Sequence, residues 1–239
     1  MSRFQRLREA PVTVALIAVN LIVFVAMVVT SQRIVAFDGE TLRRAGAMYF
    51  DPGMQGASPW RWLTAAFIHV NLLHIVMNMW VLGQIGIISE RALGRGLFAT
   101  SYVVTGVLGN VVSGTLAAAR GTPMISAGAS GAIMGLIGMA AAFAWLSGQR
   151  AVAKALAINI LFVLGVGLSL TFSGRPMVDN AAHIGGLAAG VGLGVARFRM
   201  PRPFPVWLDR GLIVWVLLLA VLAFAVVALS GAAPDVNVV

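Results

Sequence analysis

The sequence predicts an all-α, polytopic membrane protein. Of its 239 residues, 59% are hydrophobic and only 10% are charged, whereas a soluble domain carries about 25% charged residues. The charges fall in short clusters between long apolar runs. The runs match the length of about 20 residues that a helix needs to cross a hydrocarbon core of about 30 Å. They lack the alternation, over about 10 residues, that marks a membrane β-barrel strand.

Seven spans follow in order. The first covers residues 11–30, after Arg3, Arg6 and Arg8. It is longer than a secretory signal core of about 7–15 residues and no small-residue cleavage site follows, so it reads as a retained helix. The next five are residues 66–88, 97–119, 130–146, 151–171 and 180–196, and the last is 211–229. Between the first two spans, residues 31–65 form a long loop carrying Met48, Tyr49, Phe50, Trp60 and Trp62. Such aromatic content fits a segment lying in the membrane interface, or a solvated loop with an aromatic anchor. No internal repeat or low-complexity linker interrupts the chain. One membrane domain over residues 11–200 is expected, flanked by a tail at 1–10 and, at 201–239, a linker, a seventh helix and a short tail.

The net charge of +9 reports topology and does not call for nucleic acid. With the N-terminus inside, the inner segments hold Arg3, Arg6, Arg8, Arg91, Arg95, Arg150, Lys154, Arg197, Arg199, Arg202 and Arg210. The outer segments hold only Arg33, Arg43, Arg44, Arg61, Arg120 and Arg175. This is the positive-inside asymmetry, and it places the tail with Asp235 outside. The chain has no cysteine, which removes disulfides and thiolate–metal sites. The Ala-, Gly- and Arg-rich composition, with no targeting segment, points to a bacterial plasma membrane.

Polar residues inside the apolar spans mark the functional site, because a polar group in hydrocarbon is costly. They fall in three places: Gly128-Ala129-Ser130-Gly131, Ala182-His183-Ile184-Gly185-Gly186, and the run from His69 through His74 to Asn78. All three histidines of the chain lie there. In the inside-first topology the second, fourth and sixth spans start at the outer surface, so all these residues share one side of the membrane. The fourth span is only about 26 Å long at about 1.5 Å per residue, so its N-terminus lies below that surface. Residues 120–129 must then dip into the membrane as irregular backbone, which needs protein or a water-filled cavity to satisfy it.

Ser130 at a helix N-terminus sits beside unpaired N–H groups and the positive end of the dipole, a setting that stabilises an oxyanion. Capping or helix packing are the alternative roles for such a serine. His183 has the chemistry of a general base, or of a buried histidine bonded to a carbonyl. Glycines join the two readings. Gly186, Gly190 and Gly194 form a smooth stripe on the sixth span, and Gly131 and Gly135 one on the fourth. Small residues at this spacing let helices approach closely, bringing a short serine side chain to an imidazole. His74 and Asn78 share a helix face and are candidate oxyanion donors. His69, about 140° further round, is expected at the outer mouth in a lesser role. No acidic residue lies well inside a span; Asp179 and Glu90 are at ends. A Ser–His dyad is therefore expected, with Asn180 as a candidate to orient His183.

The set of motifs resembles the rhomboid family of intramembrane serine proteases. The matches are GxSG at residues 128–131, AHxxGxxxG at 182–190 and HxxxxHxxxN at 69–78. The pairs Trp60-Arg61 and Glu90-Arg91 also fit the family's pattern. The resemblance implies a six-helix core with one appended C-terminal helix. It implies that Ser130 is the nucleophile and His183 the base, with His74, Asn78 and the Ser130 amide forming the oxyanion hole. It implies single-pass membrane proteins as substrates, cut in or near a helix that small or helix-breaking residues weaken, and no metal or cofactor. One departure is Met134, where some relatives carry a tyrosine that stacks on the histidine. A dead relative would lack Ser130 or His183. A transporter would carry charges within its spans, a zinc peptidase HExxH, and an aspartyl protease two membrane aspartates; none of these is present.

Overall fold

The structure is a computed structural model that describes residues 10–51, 58–173, 178–200 and 205–231. Arg3, Arg6, Arg8, Arg175, Arg202 and the tail with Asp235 lie outside the described residues. Nine α-helices run in order among the described residues: α1 Pro11–Ser31, α2 Gly39–Ala45, α3 Arg61–Thr64, α4 Leu72–Leu93, α5 Arg95–Arg120, α6 Ser130–Leu146, α7 Arg150–Phe172, α8 Asn180–Arg199 and α9 Val206–Gly231. Two short strands, β1 Met48–Phe50 and β2 Met124–Ser126, complete the chain. Six of the described helices are long and apolar enough to cross a membrane. The shorter α6, at 17 residues, is the seventh apolar helix. An apolar helix stands at each of the seven places expected, six of them of membrane-crossing length, as suits a multi-pass membrane protein.

The short helix is the central one. Every residue from 131 to 139 is buried, so its neighbours surround α6 and shield it from lipid. By contrast α7 buries only Ala153 and Gly167 and turns Leu161, Phe162 and Phe172 outward. Such exposed apolar side chains suit a lipid-facing helix, since hydrocarbon solvates them as well as a protein core does.

Two expectations need correction. The second span begins at Leu72, not at residue 66. Asn71 caps it, accepting a hydrogen bond from the His74 amide at 2.8 Å. The segment before it is a 3-10 turn at Ala65–Phe67 followed by extended backbone. Its apolar composition gave no signal of this break, because a buried turn and a helix carry the same residue types.

The long loop folds against the helices. Asp38 caps α2 by accepting from the Thr41 amide. Phe37, Leu42 and Ala47 join Phe24 and Met27 of α1 and Ile75 of α4 in a small core of their own. Arg61 donates to the Arg43 and Ala47 carbonyls at 2.6 and 2.9 Å, and its guanidinium stacks over Trp60 at 4.3 Å. The Trp-Arg pair thus ties α3 to the end of α2.

The second correction is at residues 120–129. They do not run wholly as irregular backbone. β2 pairs antiparallel with β1, with Met48 opposite Ser126 and Phe50 opposite Met124. The loop supplies the hydrogen bonds that this segment needs inside the molecule.

Glu90 closes the opposite end of the bundle. Its buried carboxylate accepts from the Val12 amide at 3.0 Å, and from the Thr13 amide and hydroxyl at 2.7 and 2.8 Å. A residue at the end of α4 therefore caps the start of α1, where the helix dipole favours a negative charge. Glu90→Ala leaves two amides and a hydroxyl without their acceptor. We expect it to destabilise the fold by about 1–2 kcal/mol. Denaturant titration in detergent micelles checks this, and Glu90→Gln, which keeps one acceptor oxygen, should lose less.

Candidate active site

Two helix N-termini meet at Gly128, and a third packs beside Gly131. α4 brings His74 in its first turn, α6 begins at Ser130, and α8 brings His183 in its first turn. A methyl group built on Gly128 would stand 2.6 Å from His74 Cε1, 3.0 Å from Nε2 and 3.6 Å from Ser130 Oγ. The imidazole and the hydroxyl thus border the same glycine. The turn that bears His183 packs on the next glycine, where a Cβ on Gly131 would stand 3.3 Å from the Ala182 carbonyl. Gly128 has φ of +143°, a conformation that side chains other than hydrogen disfavour. Both its backbone and its surroundings exclude a larger residue.

The loop ahead of Ser130 is held from one side by a single backbone bond. The Gly128 amide donates to the Ala65 carbonyl of the 3-10 turn at 2.9 Å. Ala129 is the cap residue of α6 and makes no side-chain cap bond. Ser130 is therefore the first helical residue, and its hydroxyl is not spent on capping. The amides of Ser130, Gly131 and Ala132 are the first of the helix and have no intrahelical acceptor. Ser130 is partly exposed, while His183 and Asn78 are buried.

The glycine stripes carry α6 and α8 into backbone contact. A Cβ on Gly186 would overlap the Gly131 carbonyl, and one on Gly190 would overlap the Gly135 carbonyl. One on Gly194 would come within 2.5 Å of the Met139 carbonyl. α5 closes in as well: a Cβ on Gly109 would be 2.6 Å from the Ala182 carbonyl. The turn that carries His183 is thus wedged between α5 and α6.

Asp179 locks this turn. As the cap of α8 it accepts from the Ala182 amide at 2.9 Å. Its other oxygen accepts from the Ser113 hydroxyl of α5 at 2.5 Å and the Ser126 hydroxyl of β2 at 2.6 Å. Sequence reasoning placed Asp179 at a span end and gave it no role. A signal was there to be read: Gly106, Gly109, Asn110 and Ser113 recur every three or four residues on α5 and all face inward.

Two expectations fail here. His69 does not sit at the outer mouth. It is fully buried, with its ring edge-on to His74 at 5.2 Å, because it precedes the helix and helical geometry does not set its direction. Asn180 does not turn to His183 either. Its side chain packs on Gly167 of α7, where a Cβ would collide with it. His183 Nδ1 is buried without a hydrogen-bond partner among the described residues. Asn78 lies one turn after His74 and donates from Nδ2 to the His74 carbonyl at 2.9 Å. That uses one of its two amide hydrogens. Met134 is buried in the main core, at 2% exposure. Among the described residues, no group of three or more metal-ligating side chains comes together.

Polar side chains thus stand in the first turns of three apolar helices that glycine contacts lock together. The family's domain model matches residues 56–200, more than half of the chain. This protein belongs to the rhomboid family. It is 33% identical over 163 residues to RHOMBOID-like protein 6, mitochondrial, of Arabidopsis thaliana, covering 68% of this chain and 51% of that protein. It is 34% identical over 131 residues to Rhomboid protease GluP of Bacillus subtilis, covering 55% of this chain and 24% of that one. It is 33% identical over 156 residues to Rhomboid-like protease 2 of Toxoplasma gondii, covering 63% and 52%. The chain spans about half the length, or less, of these curated relatives.

Proposed function

We propose that this protein is an intramembrane serine endopeptidase with a Ser130–His183 dyad. The observation that carries this reading is Ser130 at the start of α6 facing His74 across Gly128, with the turn that bears His183 packed on Gly131. Two of the relatives are named as proteases, which supports the same class.

In this reading Ser130 Oγ attacks the scissile carbonyl carbon while its proton passes to His183. The carbonyl oxygen becomes an oxyanion, stabilised by the Ser130 amide, His74 and the second amide hydrogen of Asn78. His183 then gives its proton to the leaving amine, and an acyl-enzyme remains on Ser130. Water attacks this ester, losing a proton to His183. Collapse releases the carboxylic acid and returns the proton to Ser130. Met134 stands where some relatives use an aromatic residue, and its thioether can pack against an imidazole. No step calls for a metal or cofactor.

The substrates in this reading are single-pass membrane proteins whose helix small or helix-breaking residues weaken near the site's side of the bilayer. The enzyme sits in a bacterial plasma membrane, with its N-terminus in the cytoplasm and its C-terminus outside. The test is cleavage of a model transmembrane substrate in liposomes. Hydrolysis by wild-type protein at a bond near the membrane surface is the expected result. Absence of hydrolysis across a panel of weak-helix substrates, by folded protein, would overturn the reading.

His74→Ala and Asn78→Ala should each reduce turnover by on the order of 10²-fold without abolishing it, because the Ser130 amide remains. Steady-state cleavage rates check this. If the double variant turned over normally, the side-chain oxyanion hole would be wrong.

A further inference from the structure

We propose that the appended helix α9 is a positioning element of the active site, acting through Phe224 on the turn that holds Gly128. The inference rests on the proposed role of Ser130.

The path is short and built of specific contacts. α9 is fixed at its start by Asp209, whose carboxylate accepts from the Gly96 amide at 2.6 Å. Its buried face, marked by Val216 and Ala223, lies in the main core. Towards its far end, Phe224 packs edge-on against Phe67 with ring centroids 5.8 Å apart. Phe67 in turn lies 5.6 Å from the Tyr102 ring of α5. It is the last residue of the 3-10 turn Ala65–Phe67. Two residues back in that turn, the Ala65 carbonyl receives the Gly128 amide. Gly128 in turn borders both His74 and Ser130.

The other restraints on this turn show what α9 adds. The Tyr102 hydroxyl donates to the Ala66 carbonyl at 3.1 Å, and the Thr64 hydroxyl donates to the Gly46 carbonyl at 2.7 Å. Val227 of α9 closes over Gly46, where a Cβ would lie 3.1 Å from its methyl. The turn is therefore clamped between α5 on one side and α9 on the other. Side-chain hydrogen bonds fix Ala66 and Thr64 directly, whereas the Phe67 ring is held by packing in the core, against Tyr102 and Phe224 among others. Remove Phe224 and Phe67 loses the wall opposite Tyr102. The Ala65 carbonyl, which receives both the Ile68 and the Gly128 amides, can then shift with its turn and move the Gly128 loop. A displacement of about 1 Å at a reacting group is enough to lower a rate by on the order of 10²-fold.

The experiment uses the full chain in detergent micelles and a fluorophosphonate probe. The amplitude of phosphonylation counts folded sites, and the rate constant per site reads positioning. Phe224→Ala is expected to lower the rate constant at least tenfold while the amplitude stays near that of wild type. Phe224→Tyr keeps the ring and should restore the rate. Leu222→Ala, on the exposed face of the same helix, should match wild type in both. With a transmembrane substrate the loss in Phe224→Ala should fall on kcat and leave KM unchanged.

A wild-type rate constant in Phe224→Ala would overturn the inference. So would a loss confined to amplitude, which would make α9 a purely structural prop. If Phe224→Ala fails to fold, Phe224→Leu carries the same test, because it fills most of the space but lacks the ring. Failure of wild-type protein to react would count against the dyad reading instead.

Discussion

Ser130→Ala should abolish peptide-bond hydrolysis while the protein stays folded and inserted. The hydroxyl makes no hydrogen bond that holds the fold: α6 starts without a side-chain cap, and the contacts that lock its end run through Gly128, Gly131 and Ala132. Removing one oxygen therefore costs little stability. It removes the only atom of the dyad that can form the acyl-enzyme. Without it, water would have to attack directly, and positioning and oxyanion stabilisation alone leave a residual rate on the order of 10⁶-fold below that of the intact site. Cleavage of a transmembrane substrate, read beside thermal unfolding of the same sample, checks both halves. Substantial cleavage by purified Ser130→Ala would remove the serine mechanism.

The second large effect is expected at Gly190. A Cβ there would overlap the Gly135 carbonyl and approach the Gly135 Cα within 2.7 Å. Both obstacles are backbone, so no rotamer change relieves them. α6 and α8 must separate, and with them Ser130 and His183. We expect Gly190→Ala to destabilise the fold by about 3 kcal/mol or more and to lower turnover by at least about 10²-fold. Gly192 provides the control. It lies two residues away on the helix, with nothing within 4 Å of a new Cβ. Gly192→Ala should be neutral or stabilise by roughly 0.5–1 kcal/mol, since alanine loses less backbone entropy in a helix. Denaturant titration and cleavage rates of the two variants separate a packing effect from a general effect of the methyl group.

The apolar helices and the nearness of Ser130 to His74 were legible because one physical rule writes both. Hydrocarbon tolerates long apolar helices, and it makes every polar residue within them conspicuous. The glycine stripes were equally readable, since residues four apart share a face. What escaped was structure that the rule does not govern. The turn at Ala65–Phe67 is buried among apolar neighbours, so its composition matched the helix that follows and hid the break at Leu72. His69 then fell outside the helix on which its direction had been reckoned. The β1–β2 pairing joins residues far apart in sequence, and three-residue strands leave no period to detect. Asp179 and Glu90 stood at span ends, where charge is ordinary. Only their partners, Ser113 and Ser126 for one and the start of α1 for the other, reveal them as fasteners.

The central claim is that Ser130 is a nucleophile activated by His183. The direct measurement is mass spectrometry of the purified protein after reaction with a fluorophosphonate, with Ser130→Ala and His183→Ala treated alongside. The account predicts a single adduct on Ser130 in wild-type protein and none in either variant. An adduct on another residue, or labelling of Ser130 that persists undiminished in His183→Ala, would contradict it.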